Sequence, residues 1–343
     1  MIRFECDYGE GCHPAILERL AATNFEQTPG YGEDIYCQRA AERIKEQAQC
    51  PDAQVHFLVG GTQANMIVIA SILRPHQGVI AAVSGHINAH ETGAVEATGH
   101  KILTVPSEDG KISAAQIQEV YDAHYQQDGP EHTVQPGMVY ISQSTENGTV
   151  YTKAELEALS ATCRKLGLPL FLDGARLGYG LAASDLTLAD VARLCDVFYI
   201  GGTKVGALFG EAVVITAQAL QQDFRYAIKQ HGAMLAKGRL LGIQFDTLLE
   251  EDRYWQIAHK AVEQALRIKA AFAAKGCPFR YDSPSNQQFP ILTQAQLEQL
   301  GQKYSYSVIE KLSDGRTVVR FCTSWATKDE DVQALIADID KLA

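Results

Sequence analysis

The sequence has 343 residues, 46% of them hydrophobic and 21% charged, which suits one large globular domain with a smaller one and an ample core. A net charge of −11, with no basic patch, argues against nucleic acid and anionic membrane surfaces as partners. The opening Met1-Ile2-Arg3-Phe4-Glu5-Cys6-Asp7 lacks the apolar core of a signal peptide, no apolar run reaches membrane-spanning length, and the eight cysteines form no CxxC pair. Together these features predict reduced thiols and a cytoplasmic location.

From residue 36 to about 216, short apolar runs alternate with amphipathic segments. The helical spacing predicts helices over 36–49, 62–73, 88–99, 113–126, 152–166 and 187–194. The apolar runs predict strands over 55–59, 79–83, 101–105, 137–142, 169–173, 196–200 and 211–216. Such alternation implies an α/β fold, a mostly parallel seven-stranded sheet sandwiched by helices. The character then changes. Long helical patterns span 217–249 and 252–275, separated by Glu250-Glu251-Asp252. Two weak strands, Tyr304–Lys311 and Thr317–Thr323, face each other across Asp314-Gly315 as a hairpin-like unit. A last helix over 327–342 opens with Thr327-Lys328-Asp329-Glu330, which has the form of a capping box. The expected division is a large domain over 1–240 and a small α+β domain over 241–343.

The chemistry-bearing segments follow the strands in order. Val59-Gly60-Gly61-Thr62-Gln63-Ala64-Asn65 lies between a strand and a helix. It reads either as a phosphate-binding turn, with backbone N–H groups and the helix N-terminus facing an anion, or as a plain N-cap by Thr62 after a tight turn. Ser84-Gly85-His86-Ile87-Asn88-Ala89-His90-Glu91 follows the next strand. His86 there is placed to stack on a flat heterocycle, His90 reads as structural, and Glu91 as a solvated or capping carboxylate unless it meets the site. The i, i+4 histidine spacing has no partner ligand set, so no metal is expected.

Asp173-Gly174-Ala175-Arg176 ends the apolar run Pro169-Leu170-Phe171-Leu172, and Gly201-Gly202-Thr203-Lys204 ends the run Val197-Phe198-Tyr199-Ile200. Asp173 reads as an N-cap or as a functional acid, and Arg176 as a surface ion pair or a cleft residue. A parallel sheet presents such groups together at its carboxyl edge. An acid and a lysine delivered there fit pyridoxal 5′-phosphate. The lysine forms a Schiff base with it and the aspartate keeps its ring nitrogen protonated. Burial among small apolar neighbours favours the neutral amine that imine exchange needs.

This order of motifs resembles the low-specificity L-threonine aldolases and their β-eliminating-lyase relatives among aspartate-aminotransferase-like proteins, over nearly the whole chain. The resemblance includes Pro29-Gly30-Tyr31-Gly32-Glu33-Asp34, the Gly61-to-Asn65 turn, His86, the Asp173 tetrad, Lys204 and Val319-Arg320-Phe321-Cys322-Thr323. It implies a transferase-like large domain with Lys204 as the Schiff-base lysine, Asp173 on the pyridine nitrogen and His86 stacked on the ring. It also implies phosphate binding by Gly61 and Thr62 with Thr203, and substrate-carboxylate binding by Arg176 and Arg320. Tyr31 is implied to reach a neighbouring subunit's site, and Lys237 to supply phosphate charge in trans, within a homodimer or homotetramer with shared active sites. The chain departs from the family pattern at Cys6-Asp7-Tyr8-Gly9-Glu10-Gly11, at Glu146 where a histidine is usual, and at Met234-Leu235.

The implied reaction is retro-aldol cleavage of a β-hydroxy-α-amino acid of threonine, allo-threonine or phenylserine type to glycine and an aldehyde. Glu146, or a water held by His86 or His90, is the candidate base. The alternatives are a pyridoxal-phosphate-dependent β-eliminating lyase and a non-catalytic cofactor-binding protein. A nicotinamide-binding enzyme is disfavoured because no GxGxxG follows any predicted strand.

Overall fold

Strands that are apolar on both faces must be covered on both, and the central runs behave accordingly. The computed structural model describes residues 1–342. Its main sheet has the spatial order Gln54–Leu58, Glu211–Ile215, Val197–Gly201, Leu170–Asp173, Gln135–Ser142, Gln77–Ala82, Lys101–Val105. Only Glu211–Ile215 runs antiparallel to its neighbours; the other pairings are parallel. The three strands Leu170–Asp173, Val197–Gly201 and Glu211–Ile215 are buried along their whole length. This is the mostly parallel seven-stranded sheet that the apolar runs predict.

Period-two alternation sorts the sheet residues between two cores. Val139, Ile141, Leu170, Leu172, Phe198 and Ile200 face one cluster. Tyr140, Phe171, Val197 and Tyr199 face the other, where helix Gly61–Ile72 supplies Ala64, Ile67 and Val68. The register sets Ser142 opposite Asp173 and Gly201 opposite Glu211, so these residues reach one edge of the sheet together.

A third cluster builds the small unit around Phe272, Leu292, Tyr304, Val319, Phe321 and Leu335, and it takes in Phe4 from the N-terminus. Ile2–Arg3 pairs in parallel with Tyr304–Ser305, and Ser307–Lys311 forms an antiparallel pair with Thr317–Cys322. Helix Arg239–Leu249 lies mostly beyond residue 240 but buries Phe245 and Leu248 in the large cluster. Helix Arg253–Ala274 contributes Tyr254 and Ala258 to the large cluster and Ile268 and Phe272 to the small one. We propose that the two units meet within this helix, with the first few residues of the chain belonging to the small one.

Several predicted elements change form. The helix expected over 88–99 becomes two turns, His86–Ala89 and Ala94–Ala97. Thr92 (φ 53°) and Gly93 (φ 73°) take left-handed conformations between them, and Glu91 turns inward. The pattern over 217–249 breaks into Gln218–Leu220, Phe224–Gln230 and Arg239–Leu249. The chain between the last two turns to meet the Tyr31 loop, whose N–H donates to Ala236 O at 3.1 Å. The last helix runs Asp329–Ile339 without a side-chain cap, because the Thr327 hydroxyl instead accepts the Ser324 N–H. Helices Pro14–Ala22, Leu177–Ala182 and Gln294–Gly301 were not anticipated. The eight cysteines are unpaired, and among the described residues no helix is long and apolar enough to cross a membrane.

Phe171 is 0% exposed, with its ring centroid 5.6 Å from that of Tyr140 and 6.2 Å from that of Tyr199. Phe171→Ala is therefore expected to destabilise the fold by about 3–5 kcal/mol in denaturant unfolding, through lost burial and an unfilled cavity. A loss below about 1 kcal/mol would show that the neighbouring tyrosines do not depend on this ring.

Candidate active site

The site grows from the end of strand Leu170–Asp173. Gly174 follows because a Cβ there would lie 1.7 Å from the Tyr199 carbonyl oxygen, so the chain can leave the sheet here only with no side chain. Four donors converge on the buried Asp173 carboxylate. Tyr199 Oη and Ala175 N–H (2.9 Å) donate to Oδ1, and Tyr140 Oη (2.6 Å) and Asn65 Nδ2 (2.9 Å) donate to Oδ2. Burial alone would push this carboxyl up, but the two tyrosine hydroxyls, the Ala175 N–H and the charge of His86 together outweigh it and hold it below the usual aspartate value. Asp173 is therefore a fixed anion. It does accept the local N–H that an N-cap would, and it also takes three donors from other elements.

Lys204 and Asp173 line one cavity of about 220 Å³, together with Gly60, Gly61, Thr62 and His86. Burial, then the positive charge of Arg176, lowers the Lys204 amine below the usual lysine value. Helix Gly61–Ile72 is capped by Gly60 with no side-chain hydrogen bond, so Thr62 is not its cap and the first-turn N–H groups are uncapped. Thr203 also lines the cavity, but its hydroxyl donates to Glu211 Oε1 (2.9 Å) and accepts the Gly210 N–H (3.0 Å). Thr203 and Glu211 thus form one hydrogen-bonded pair on the cavity wall. Glu211 also accepts the Gly202 N–H at 3.2 Å, and burial raises its carboxyl to about 8.

A second cavity of about 570 Å³ shares His86, Glu146, Arg176 and Lys204 with the first and adds Tyr8, His90, Phe289, Val308 and Arg320. Glu146 Oε1 accepts the His86 backbone N–H (3.0 Å) and the Ser142 hydroxyl (2.8 Å). Burial, then the charge of Asp173, raises its carboxyl above the usual glutamate value. His86 Nδ1 lies 2.7 Å from Glu91 Oε1, so Glu91 is neither solvated nor a cap but part of the site.

The two arginines differ. Arg176 forms a buried fork with Asp7, Nε to Oδ2 at 2.7 Å and Nη2 to Oδ1 at 3.0 Å. Burial works against the Asp7 carboxylate, but Arg176 and Lys204 together hold it well below the usual aspartate range. Arg320 instead meets neutral acceptors, Gln287 Oε1 (3.1 Å), Glu5 O (2.9 Å) and Ser307 Oγ (3.3 Å), and its buried Nε has no partner. Asn286, next to Gln287, donates to Asp7 Oδ2 at 3.0 Å. One buried segment thus braces both guanidinium groups.

Sequence reasoning missed Tyr140, Tyr199, Asn65, Asp7, Asn286 and Gln287. The phenols alone left a signal, as polar tips recurring among apolar strand residues. Tyr31 and Lys237 lie outside both cavities of their own chain. Tyr31 is half-exposed beside Met234 and Arg225, and Lys237 lies beside Pro29 and Ala236.

The donor set fits pyridoxal phosphate. It offers uncapped N–H groups at a helix N-terminus for the phosphate, a fixed carboxylate for the ring nitrogen, an imidazole at the same cavity, and an amine biased toward neutrality. Among the described residues no salt bridge occupies Lys204, and no cluster of three metal-ligating side chains occurs.

Comparison with known proteins agrees with this geometry. The model of the family described as β-eliminating lyase matches residues 8–286. The chain is 34% identical over 348 residues to a low-specificity L-threonine aldolase of a Pseudomonas species, covering 98% of this chain and 96% of the relative. It is 32% identical to one from Pseudomonas aeruginosa, with 98% and 96% covered. The solved structure of a Leishmania major threonine aldolase matches with a TM-score of 0.96 at 45% identity over 99% of each chain. An aspartate aminotransferase of Thermus thermophilus, at 14% identity and a TM-score of 0.72, covering 100% of this chain and 92% of that one, shares the fold. With its family model spanning most of the chain and a cradle for pyridoxal phosphate at the sheet edge, the chain belongs to the β-eliminating lyase family and is a pyridoxal-phosphate-dependent lyase.

Proposed function

We propose that the protein cleaves the Cα–Cβ bond of a β-hydroxy-α-amino acid of threonine, allo-threonine or phenylserine type, releasing glycine and an aldehyde. The observation that carries this reading is the shared cavity of Lys204 and Asp173, with Glu146 on the wall between it and the outer cavity. Bound pyridoxal phosphate supplies the electron sink for the pair released from the broken bond.

The chain's own residues do the rest. Gly60, Gly61 and Thr62 receive the phosphate on backbone N–H groups, Asp173 holds the ring nitrogen protonated, and the Lys204 amine provides the covalent attachment. Arg320, with a full charge and no acidic partner, binds the substrate carboxylate. Arg176, already neutralised by Asp7, shapes that site and steadies Lys204 by its field. Glu146 takes the β-hydroxyl proton, so that the oxygen becomes the aldehyde carbonyl as Cα–Cβ breaks. A proton returned to Cα completes glycine.

We also place the enzyme in the cytoplasm, where eight unpaired thiols remain reduced. Tyr31 and Lys237 sit on touching loops outside their own cavity, which supports a homodimer or homotetramer in which they reach the partner's site.

Threonine, allo-threonine, phenylserine and serine, each scored for glycine, test the reaction: glycine with matching aldehyde is expected from at least one of the first three. Release of keto acid and ammonia instead, with no glycine, overturns it in favour of β-elimination. A base acts only when ionised, and a raised pKa moves its protonation to higher pH. The acid limb of kcat is thus expected above the free-glutamate value of about 4.3. Glu146→Gln should lower kcat about 10²–10⁴-fold and abolish that limb while cofactor absorbance is kept; an unchanged limb removes Glu146 from the role. Sedimentation of the holoenzyme should give a dimer or a tetramer, and a monomer with full activity refutes the shared site.

A further inference from the structure

Glu91 is a buried carboxylate that the mechanism above does not use. Its side chain is 0% exposed, yet no arginine or lysine pairs with it among the described residues. Oε1 accepts from His86 Nδ1 (2.7 Å) and from Asn65 Nδ2 (2.7 Å), while Oε2 is buried without a partner. The same Asn65 nitrogen donates to Asp173 Oδ2 at 2.9 Å. Both protons of one neutral amide are therefore spent bridging two carboxylates, and its Oδ1 is unpartnered.

A buried charge must be compensated close by. Asp173 has its two phenols, but among the described residues the only group touching Glu91 that can carry positive charge is His86. We propose that Glu91 is a positioning residue that keeps His86 as an imidazolium with its Nδ1 proton fixed, and that Asn65 couples this ion pair to the Asp173 carboxylate. The inference rests on the reading that His86 and Asp173 flank the cofactor ring. It deepens that reading by making the face and the nitrogen end of the ring site one hydrogen-bonded unit. An imidazolium cannot accept the β-hydroxyl proton, so the same contact leaves that role to Glu146.

The groups facing His86 come from several elements. Glu91 follows on its own segment. Asp173 ends strand Leu170–Asp173, separated by strand Gln135–Ser142 from the strand that precedes His86; Glu146 accepts its backbone N–H, and Lys204 lies across the cavity. The ring of His90 is 5.6 Å away, centroid to centroid. Burial works against the imidazolium, but the Glu91 contact and the charge of Asp173 outweigh it and raise His86 above the usual histidine value.

The test is an NMR titration of ¹⁵N-histidine-labelled holoenzyme, comparing wild type with Glu91→Gln, Glu91→Asp and Asp173→Asn, each checked for folding by thermal melting. Glu91→Gln keeps shape and acceptor oxygen but removes the charge. The His86 titration is expected to fall by about one unit or more, and cofactor affinity by about tenfold. Glu91→Asp, which restores the charge, should recover part of both. If His86 titrates alike in wild type and Glu91→Gln, Glu91 does not hold the imidazolium and the inference fails. Asp173→Asn separates the two levels. If it leaves cofactor absorbance and affinity unchanged, the reading of the ring site is wrong. If it alters them while Glu91→Gln alters nothing, only the role of Glu91 falls.

Discussion

A carboxylate buried at the end of a sheet strand is unfavourable unless its lone pairs are filled, and the site depends on how Asp173 fills them. Its four donors arrive from strand Gln135–Ser142, strand Val197–Gly201, helix Gly61–Ile72 and its own following turn. The two phenols reach it because the sheet register places Tyr140 and Tyr199 on the same face as Asp173. Phe171 holds that spacing from below, packed against both rings. The binding edge and the hydrophobic core are thus one construction.

Around this anion the site is nearly balanced in charge, but not evenly. Arg176 is matched by Asp7 and His86 by Glu91. Lys204 and Arg320 have no acidic partner within ion-pair distance among the described residues. The charge of Arg320 is therefore left for a carboxylate to meet, while the unpaired Lys204 amine, lowered by burial, is left to react as a neutral nucleophile. Two chemically identical guanidinium groups take different parts because only one of them faces a carboxylate. Glu211 and Glu146, both raised by burial, add carboxyl groups able to exchange protons nearer neutral pH than a free glutamate does.

The departures from the family pattern take on physical meaning here. In the opening segment the altered Tyr8 lines the outer cavity, while the aspartate that the segment keeps, Asp7, is the counter-ion of Arg176. Glu146 lies on the wall of both cavities. The Met234-Leu235 step belongs to a loop packed against the Tyr31 segment rather than to a helix.

Much of the protein was legible in the residues taken in order. The seven strands, the parallel sheet, and the delivery of Asp173 and Lys204 to one edge follow from local periodicity, because an apolar run bounded by glycine has few ways to be buried. The break of 88–99 and of 217–249 was not legible. Both depend on distant partners, Asn65 drawing Glu91 inward beside His86 and the Tyr31 loop meeting Ala236, and these outweigh helical spacing worth only tenths of a kilocalorie per residue. Nor could sequence spacing separate Arg176 from Arg320, or show the Thr203 hydroxyl paired with Glu211. Which residues carry charge is written in the chain. Which charges remain unpaired depends on contacts between residues as far apart as 7 and 176, and only folding brings those together.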